Sequence, residues 1–268
     1  MNQPVTNPYD DQIIKACCAA VYGSTWTRLL LGDSFHPGGL LLTERLGHLL
    51  ELNSNQRVLD VAAGQGTSAR FLARHFGCQI VGLEYGQEAV ALAREAAGHA
   101  NLCSQVYFAQ GDAETLPFAS GVFDTVLCEC AFCTFPHKTV AAAEWVRVLR
   151  PGGRLGLSDL TRSGPLPASL DGLLGWVACL ADAQPVDGYV AFLEAAGLTI
   201  TCVEPHDMVL ETLVRQVQSR LLSLELWLKL KRMDFPSPDF NRAREIVRDV
   251  SNAVRAGQLG YTLITGRK

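Results

Sequence analysis

The sequence predicts one α/β domain built on a doubly wound, mostly parallel sheet. Two observations predict it. From Arg57 onward, short apolar runs alternate with helical stretches of about 10–15 residues, the pattern of strands joined by crossover helices. The early runs also end in turns rich in Gly, Asp and Glu: Arg57-Val-Leu-Asp-Val-Ala-Ala-Gly-Gln-Gly66, Ile80-Val-Gly-Leu-Glu-Tyr85, Gly111-Asp-Ala113 and Leu149-Arg-Pro-Gly-Gly153. In such sheets ligands bind beyond the carboxyl ends of the strands, where these turns lie.

From the N-terminus, residues 10–22 read as a helix and 26–31 as a short apolar piece ending at Gly32-Asp33. Residues 39–52 form a helix with Leu42, Leu46, Leu49 and Leu50 on one face, broken by Asn53-Ser-Asn55. Strands at 57–62, 78–83, 105–109, 122–129 and 154–160 enclose helices at 66–76, 86–98 and 138–149. After the Gly/Pro-rich connection Ser163–Pro167 come helices at 168–182 and 187–196, a strand at 198–204, long amphipathic helices at 210–232 and 239–256, and a final strand at 259–265. The last strand returns to the sheet, so the whole chain reads as one domain: a helical cover at 1–55, a core at 56–160, a substrate cover at 161–197, and closing strands and helices at 198–268.

Composition narrows the classes of function. A length of 268 residues suffices for a full core. A net charge of −4 argues against a nucleic-acid partner. No apolar run reaches the roughly 18 residues of a membrane span, and the polar start lacks a signal-peptide core, so the expected location is cytoplasmic. The nine cysteines should then be thiols rather than a disulfide framework, and no pair of Cys-x-x-Cys motifs builds a structural metal site. Cys78, Cys103 and Cys202, in or beside core strands, read as small buried hydrophobes. Oligomeric state is not legible.

Gly64 and Gly66 lie between a strand and a helix, where glycine lets the backbone approach a ligand and the helix start offers free N–H groups. Asp60 sits inside the strand four residues earlier; its carboxylate would repel a pyrophosphate but suits an ammonium group. Glu84 ends the next strand about twenty residues on, where an acid binds ribose hydroxyls. Asp112 can accept a hydrogen bond from an adenine amino group.

On these segments, together with Phe123-Asp-Thr-Val-Leu127 and Val148-Leu-Arg-Pro-Gly-Gly-Arg-Leu155, the chain resembles the class I S-adenosylmethionine (SAM)-dependent methyltransferases. The resemblance is strong over roughly 56–160. It implies a Rossmann-like, seven-stranded sheet with helices on both faces, SAM as cofactor and S-adenosylhomocysteine as product. It places Gly64 and Gly66, with Asp60 and Ala62, on the methionine part, Glu84 on the ribose, Asp112 and Ala113 around the adenine, Tyr85 on the adenine face, and Glu129 at the cofactor. Ala62-Ala63 departs from the small polar or Gly residues common in that family.

The acceptor is read from the segment after the fourth strand. Cys128-Glu-Cys130-Ala-Phe-Cys133-Thr-Phe-Pro-His-Lys138 carries thiols toward the methyl donor, and Cys17-Cys18 and Trp176-Val-Ala-Cys179 add others from the predicted covers. Soft thiolates select thiophilic centres such as trivalent arsenic. These segments are similar to those of arsenite methyltransferases, which implies that Cys130 and Cys179, with Cys17 or Cys18, hold As(III) as substrate, that Tyr189 and Phe192 accompany them, and that glutathione or thioredoxin serves as reductant. The family's C-terminal extension is absent, and Leu31-Gly-Asp33-Ser-Phe-His36-Pro-Gly-Gly39 has no counterpart there. Two alternatives stay open. One is methylation of a quinone-like or hydroxylated ring, with His36, Asp33 or Glu129 orienting it inside Trp26, Phe35, Phe132, Phe135 and Trp176. The other is a non-catalytic protein that binds SAM or a metalloid.

Overall fold

The computed structural model describes residues 10–23, 29, 32, 35–165, 180, 182–231 and 240–268. Helix α1 (Asp11–Gly23) and α2 (Gly39–Leu49) precede the sheet. Then come β1 (Arg57–Val61), α3 (Thr67–Phe76), β2 (Gln79–Glu84), α4 (Gln87–His99), β3 (Val106–Gln110), β4 (Phe123–Glu129), α5 (Lys138–Val148) and β5 (Leu149–Arg162). The chain closes with α6 (Val186–Ala195), β6 (Thr199–Pro205), α7 (Asp207–Lys231), α8 (Phe240–Arg255) and β7 (Leu259–Arg267).

The seven strands lie in the order β3-β2-β1-β4-β5-β7-β6. β1 pairs in parallel with β2 and β4, while β7 runs antiparallel between β5 and β6. All seven expected strands are present. β1 and β4 are buried at nearly every successive residue, which alternation cannot produce unless both faces of the sheet are covered. The inner strands supply Val58, Leu59, Val126, Leu127, Leu155 and Leu157 to one continuous core. Phe132, Trp145 and Tyr189 pack ring against ring at its far side, with centroids 4.7 and 5.7 Å from Phe132. Roughly 3–5 kcal/mol rests on a buried ring of this size.

Some boundaries differ from the sequence reading. β5 starts at Leu149 rather than 154, because Leu149 already pairs with Phe123 before a register shift lets Arg150–Gly153 bulge out. α7 begins at Asp207, whose carboxylate accepts the Tyr261 N–H at 3.0 Å. The expected helix at 168–182 and the apolar piece at 26–31 lie largely outside the described residues. Cys78 is buried as expected, but Cys103 is exposed and Cys202 partly exposed. Cys103 lies in the turn before β3, and Cys202 on β6, the last strand of the sheet, which has a neighbour on one side only.

The turn after β1 is tightly determined. Gly66 has φ +72°, and a Cβ there would stand 2.2 Å from Cζ of Phe108. Gly66→Ala should therefore cost about 2–4 kcal/mol, from backbone strain plus overpacking. Gly98→Ala, in a helix with open space around it, should instead gain up to about 1 kcal/mol. Urea midpoints of the two variants check this, and equal effects would refute the reading of the turn.

Candidate functional site

The carboxyl ends of β1, β2 and β4 and the turn after β3 open into one pocket. Its lining includes Asp60, Ala62 and Gly64 from the first end, Glu84 and Tyr85 from the second, Asp112 and Ala113 after the third, and Glu129 and Cys130 from the fourth. The register explains the convergence: β2, β1 and β4 are parallel neighbours, Glu84 and Glu129 end the flanking strands, and Asp60, level with Gly82 and Leu127, lies two residues behind them on the same face of the sheet.

Glu84 ties two turns together. Its carboxylate accepts the Gly64 N–H at 2.9 Å through one oxygen and the Gly86 N–H at 2.9 Å through the other. Burial pushes its pKa up, and the N–H groups of Gly86 and Gly64 pull the other way. Gly64 has φ +53°, and a Cβ on it would meet nothing within 4 Å, so the backbone here borders open space.

Asp60 is 3 % exposed, and its Oδ2 has no hydrogen-bond partner among the described residues. Burial holds its carboxyl well above the ordinary range, and the neighbouring charges of Glu129 and Glu84 push the same way. An orphaned carboxyl beside two more carboxylates is a site that a cationic ligand would complete.

Phe35 and His36, before α2, line the opposite wall, and Thr43 of α2 backs it. The Thr43 hydroxyl lies 3.1 and 3.2 Å from the Glu129 carboxylate oxygens, as donor, and 3.3 Å from His36 Nε2. His36 is buried, with Nε2 3.6 Å from Glu129 and 3.4 Å from the Ser68 hydroxyl at the start of α3. Its Nδ1 lies 3.3 Å from the Pro37 carbonyl. A carbonyl only accepts, as does the Thr43 oxygen once its one proton is given to Glu129, so acceptors face both ring nitrogens.

α1 closes the third side. Lys15 Nζ donates to Asp112 at 2.8 Å and to Glu114 at 2.5 Å, while the Glu114 N–H donates to the other Asp112 oxygen at 2.9 Å. The side chains bonded to Lys15 raise its pKa against the opposing pull of burial, which is the largest single influence. His137 before α5 pairs with Asp11 of α1 at 2.8 Å, a second fastening of this helix.

The cysteines divide differently from the sequence reading. Cys130 lines the pocket in a left-handed conformation, φ +54°, and its N–H donates to the Ser158 carbonyl at 2.7 Å. Cys18 also lines it. Cys128 and Cys133 do not reach the pocket: they are 0 and 1 % exposed inside the core, and burial raises the Cys128 thiol well above its usual range. Cys17 is partly exposed on α1 and is not part of the lining. Cys179 lies outside the described residues, as do Asp33, Trp26 and Trp176. Tyr189 is a core residue whose hydroxyl donates to the Leu160 carbonyl. Phe132 is likewise core, whereas Phe35 and Phe135 face the pocket with Tyr22. Gly66 supports the turn from beneath, against Phe108.

Sequence reasoning missed Lys15 and Tyr22 of α1 and Ser68 of α3, which line the pocket, and Thr43 of α2, which is buried and holds the pocket residue Glu129. It treated Lys138 only as part of a motif. Lys138 is buried, donates to the Cys133 and Phe135 carbonyls at 3.1 Å each and pairs with Asp182, thereby fixing the loop after β4.

Residues 59–157 match the family model described as a methyltransferase domain. GfsG, a methyltransferase of Streptomyces halstedii, is 31% identical over 171 residues, 63% of this chain and 62% of that protein. A demethylmenaquinone methyltransferase of Deinococcus radiodurans is 42% identical over 126 residues, 47% and 49% of the two chains. An arsenite methyltransferase of Halobacterium salinarum is 31% identical over 158 residues, 57% and 39%. The chain thus spans less than two thirds of the length of each of these relatives. Among solved structures the cyclase SpnF superposes with a TM-score of 0.75 over 99% of both chains at 23% identity, a likeness of fold.

Asp60 gives a direct stability test. A carboxyl whose folded pKa lies above its unfolded value holds its proton more tightly in the folded chain. Stability then falls as pH rises from the unfolded pKa, about 3.9, through the folded one. Asp60→Asn removes that loss, so the variant should exceed the parent in stability by a margin that grows with pH across this window. Denaturant midpoints measured from pH 4 to 8 check it, and a pH-independent difference would contradict the assignment.

Proposed function

We propose that this chain, a member of the class I SAM-dependent methyltransferases, methylates a small organic acceptor through an oxygen or nitrogen atom. The observation that carries the reading is Asp60: a buried carboxyl, with one oxygen unpartnered among the described residues, close to Glu84 and Glu129 beside a glycine turn. Those residues suit a cationic nucleoside. Asp60 and Glu129 would hold its ammonium, Glu84 its ribose hydroxyls, and Asp112, Ala113 and Tyr85 its adenine. The start of α3, with Ser68 and free N–H groups, suits its carboxylate.

Bound SAM supplies an electrophilic methyl group on a sulfonium. The chain itself would align the acceptor and hold the proton it loses. His36 lines the pocket wall and would take that proton, and the Glu129 carboxylate 3.6 Å from its Nε2 would stabilise the imidazolium formed. Tyr22, Phe35 and Phe135 give the acceptor side an aromatic surface. That surface and the imidazole favour an aromatic or hydroxylated-ring acceptor.

Arsenite remains a second reading because Cys18 and Cys130 line the same pocket. Both thiols would have to act as thiolates, with Cys179 as the third thiol expected from the sequence and glutathione or thioredoxin as reductant.

A turnover assay with SAM separates the two. Phenol and quinol acceptors are run beside arsenite with glutathione. The favoured reading expects methylated organic product, a loss of about 10²–10⁴-fold in His36→Ala and little change in Cys130→Ser. Methylated arsenic that disappears in Cys130→Ser would transfer the assignment to the metalloid. Glu84→Gln should weaken SAM binding by about tenfold or more, since each hydrogen bond to a charged group contributes roughly 1.5–3 kcal/mol. Unchanged affinity would remove Glu84 from the nucleoside site.

A further inference from the structure

The geometry points to a divalent transition-metal site on the outer side of α2 and α3, formed by Glu44, His48 and His75. The three ligand atoms all lie within 4.8 Å of one another. Glu44 Oε1 stands 3.8 Å from His48 Nε2 and 3.5 Å from His75 Nε2. Ligands on a tetrahedral Zn²⁺ at about 2.0–2.1 Å lie roughly 3.3 Å apart, so the two Glu44 separations are already close to that value and the two imidazoles, within 4.8 Å of each other, close the remaining gap by side-chain rotation.

The cluster is held by the fold. Glu44 and His48 are one helical turn apart on α2, and His75 comes from the last turn of α3. The two helices touch at Gly47, where a Cβ would meet the Phe76 ring at 2.4 Å, so their separation is set by close packing. The His48 ring stands edge-on to Phe76 at 5.2 Å, and the His75 ring stacks on Phe71 at 5.4 Å with 26° between planes. Braced imidazoles lose less rotamer freedom on binding than free ones. Two imidazoles and one carboxylate suit Zn²⁺, Ni²⁺, Cu²⁺ or Fe²⁺ rather than the hard ions Mg²⁺ and Ca²⁺. Because the side chains remain partly exposed, water would complete the coordination. α2 carries Thr43, the donor to Glu129, one residue before Glu44, and α3 starts at the glycine turn. A metal here would clasp α3, whose Thr67 and Ser68 line the pocket, to α2, whose Thr43 holds Glu129.

The test uses metal-free full-length protein with Zn²⁺ and Co²⁺, and Mg²⁺ as the hard-ion control. Zn²⁺ at a hundredfold excess over its Kd should raise the Tm by roughly 5 °C or more, and Mg²⁺ should not. Co²⁺ should give visible d–d bands without the near-ultraviolet charge transfer of a thiolate ligand. His75→Ala should abolish both responses, and Glu44→Gln should weaken them, each variant keeping the parent's metal-free Tm. The site is overturned if His75→Ala binds Co²⁺ as the parent does, or if the cobalt spectrum is that of thiolates.

Discussion

One electrostatic constraint organises the site: Asp60 is buried as a carboxyl with one oxygen unpartnered among the described residues, close to Glu84 and Glu129. Folding alone would not favour such a group, because burial without a partner costs free energy and adjacent carboxylates repel. Much of the surrounding structure holds these acids in place. Parallel pairing sets Glu84 and Glu129 at neighbouring strand ends with Asp60 two residues behind them, the glycine turn gives Glu84 an N–H to bind, and Thr43 fixes Glu129. A bound cation would relieve the repulsion that the free protein carries.

The covers act as a second layer on this frame. α1 is attached where the adenine would lie, through Lys15 to Asp112 and Glu114 and through Asp11 to His137. α2 is attached at the opposite end, through Thr43 and the His36 turn. Cys130 stands between them in a left-handed backbone conformation at the end of the central strand. Strained residues of this kind gather at functional sites, where the surrounding packing overcomes their cost.

The sheet and the gathering of Asp60, Gly64, Glu84 and Asp112 at one pocket were legible in the sequence because their signals are local. A glycine turn after an apolar strand, an acid four residues earlier and another at the next strand end can be read from a few dozen residues. The rest of the pocket's surroundings was not, because its residues meet from distant elements: Lys15, Thr43 and Ser68 carry no pattern marking them as neighbours. The cysteines mislead for a related reason. A period of two puts Cys128 and Cys130 on one face, but the strand ends at Glu129 and the left-handed turn at Cys130 redirects its thiol. Cys103 and Cys202 looked like core residues until the structure placed Cys103 in the turn before β3 and Cys202 on the edge strand β6.

Isothermal titration of the metal-free wild-type chain with SAM, and separately with NAD, tests the central claim most directly. The Asp60–Glu84–Glu129 cluster is suited to a nucleoside bearing positive charge and unsuited to a pyrophosphate. The account predicts saturable binding of one equivalent of SAM and no heat with NAD. Saturable NAD binding with no response to SAM would contradict it.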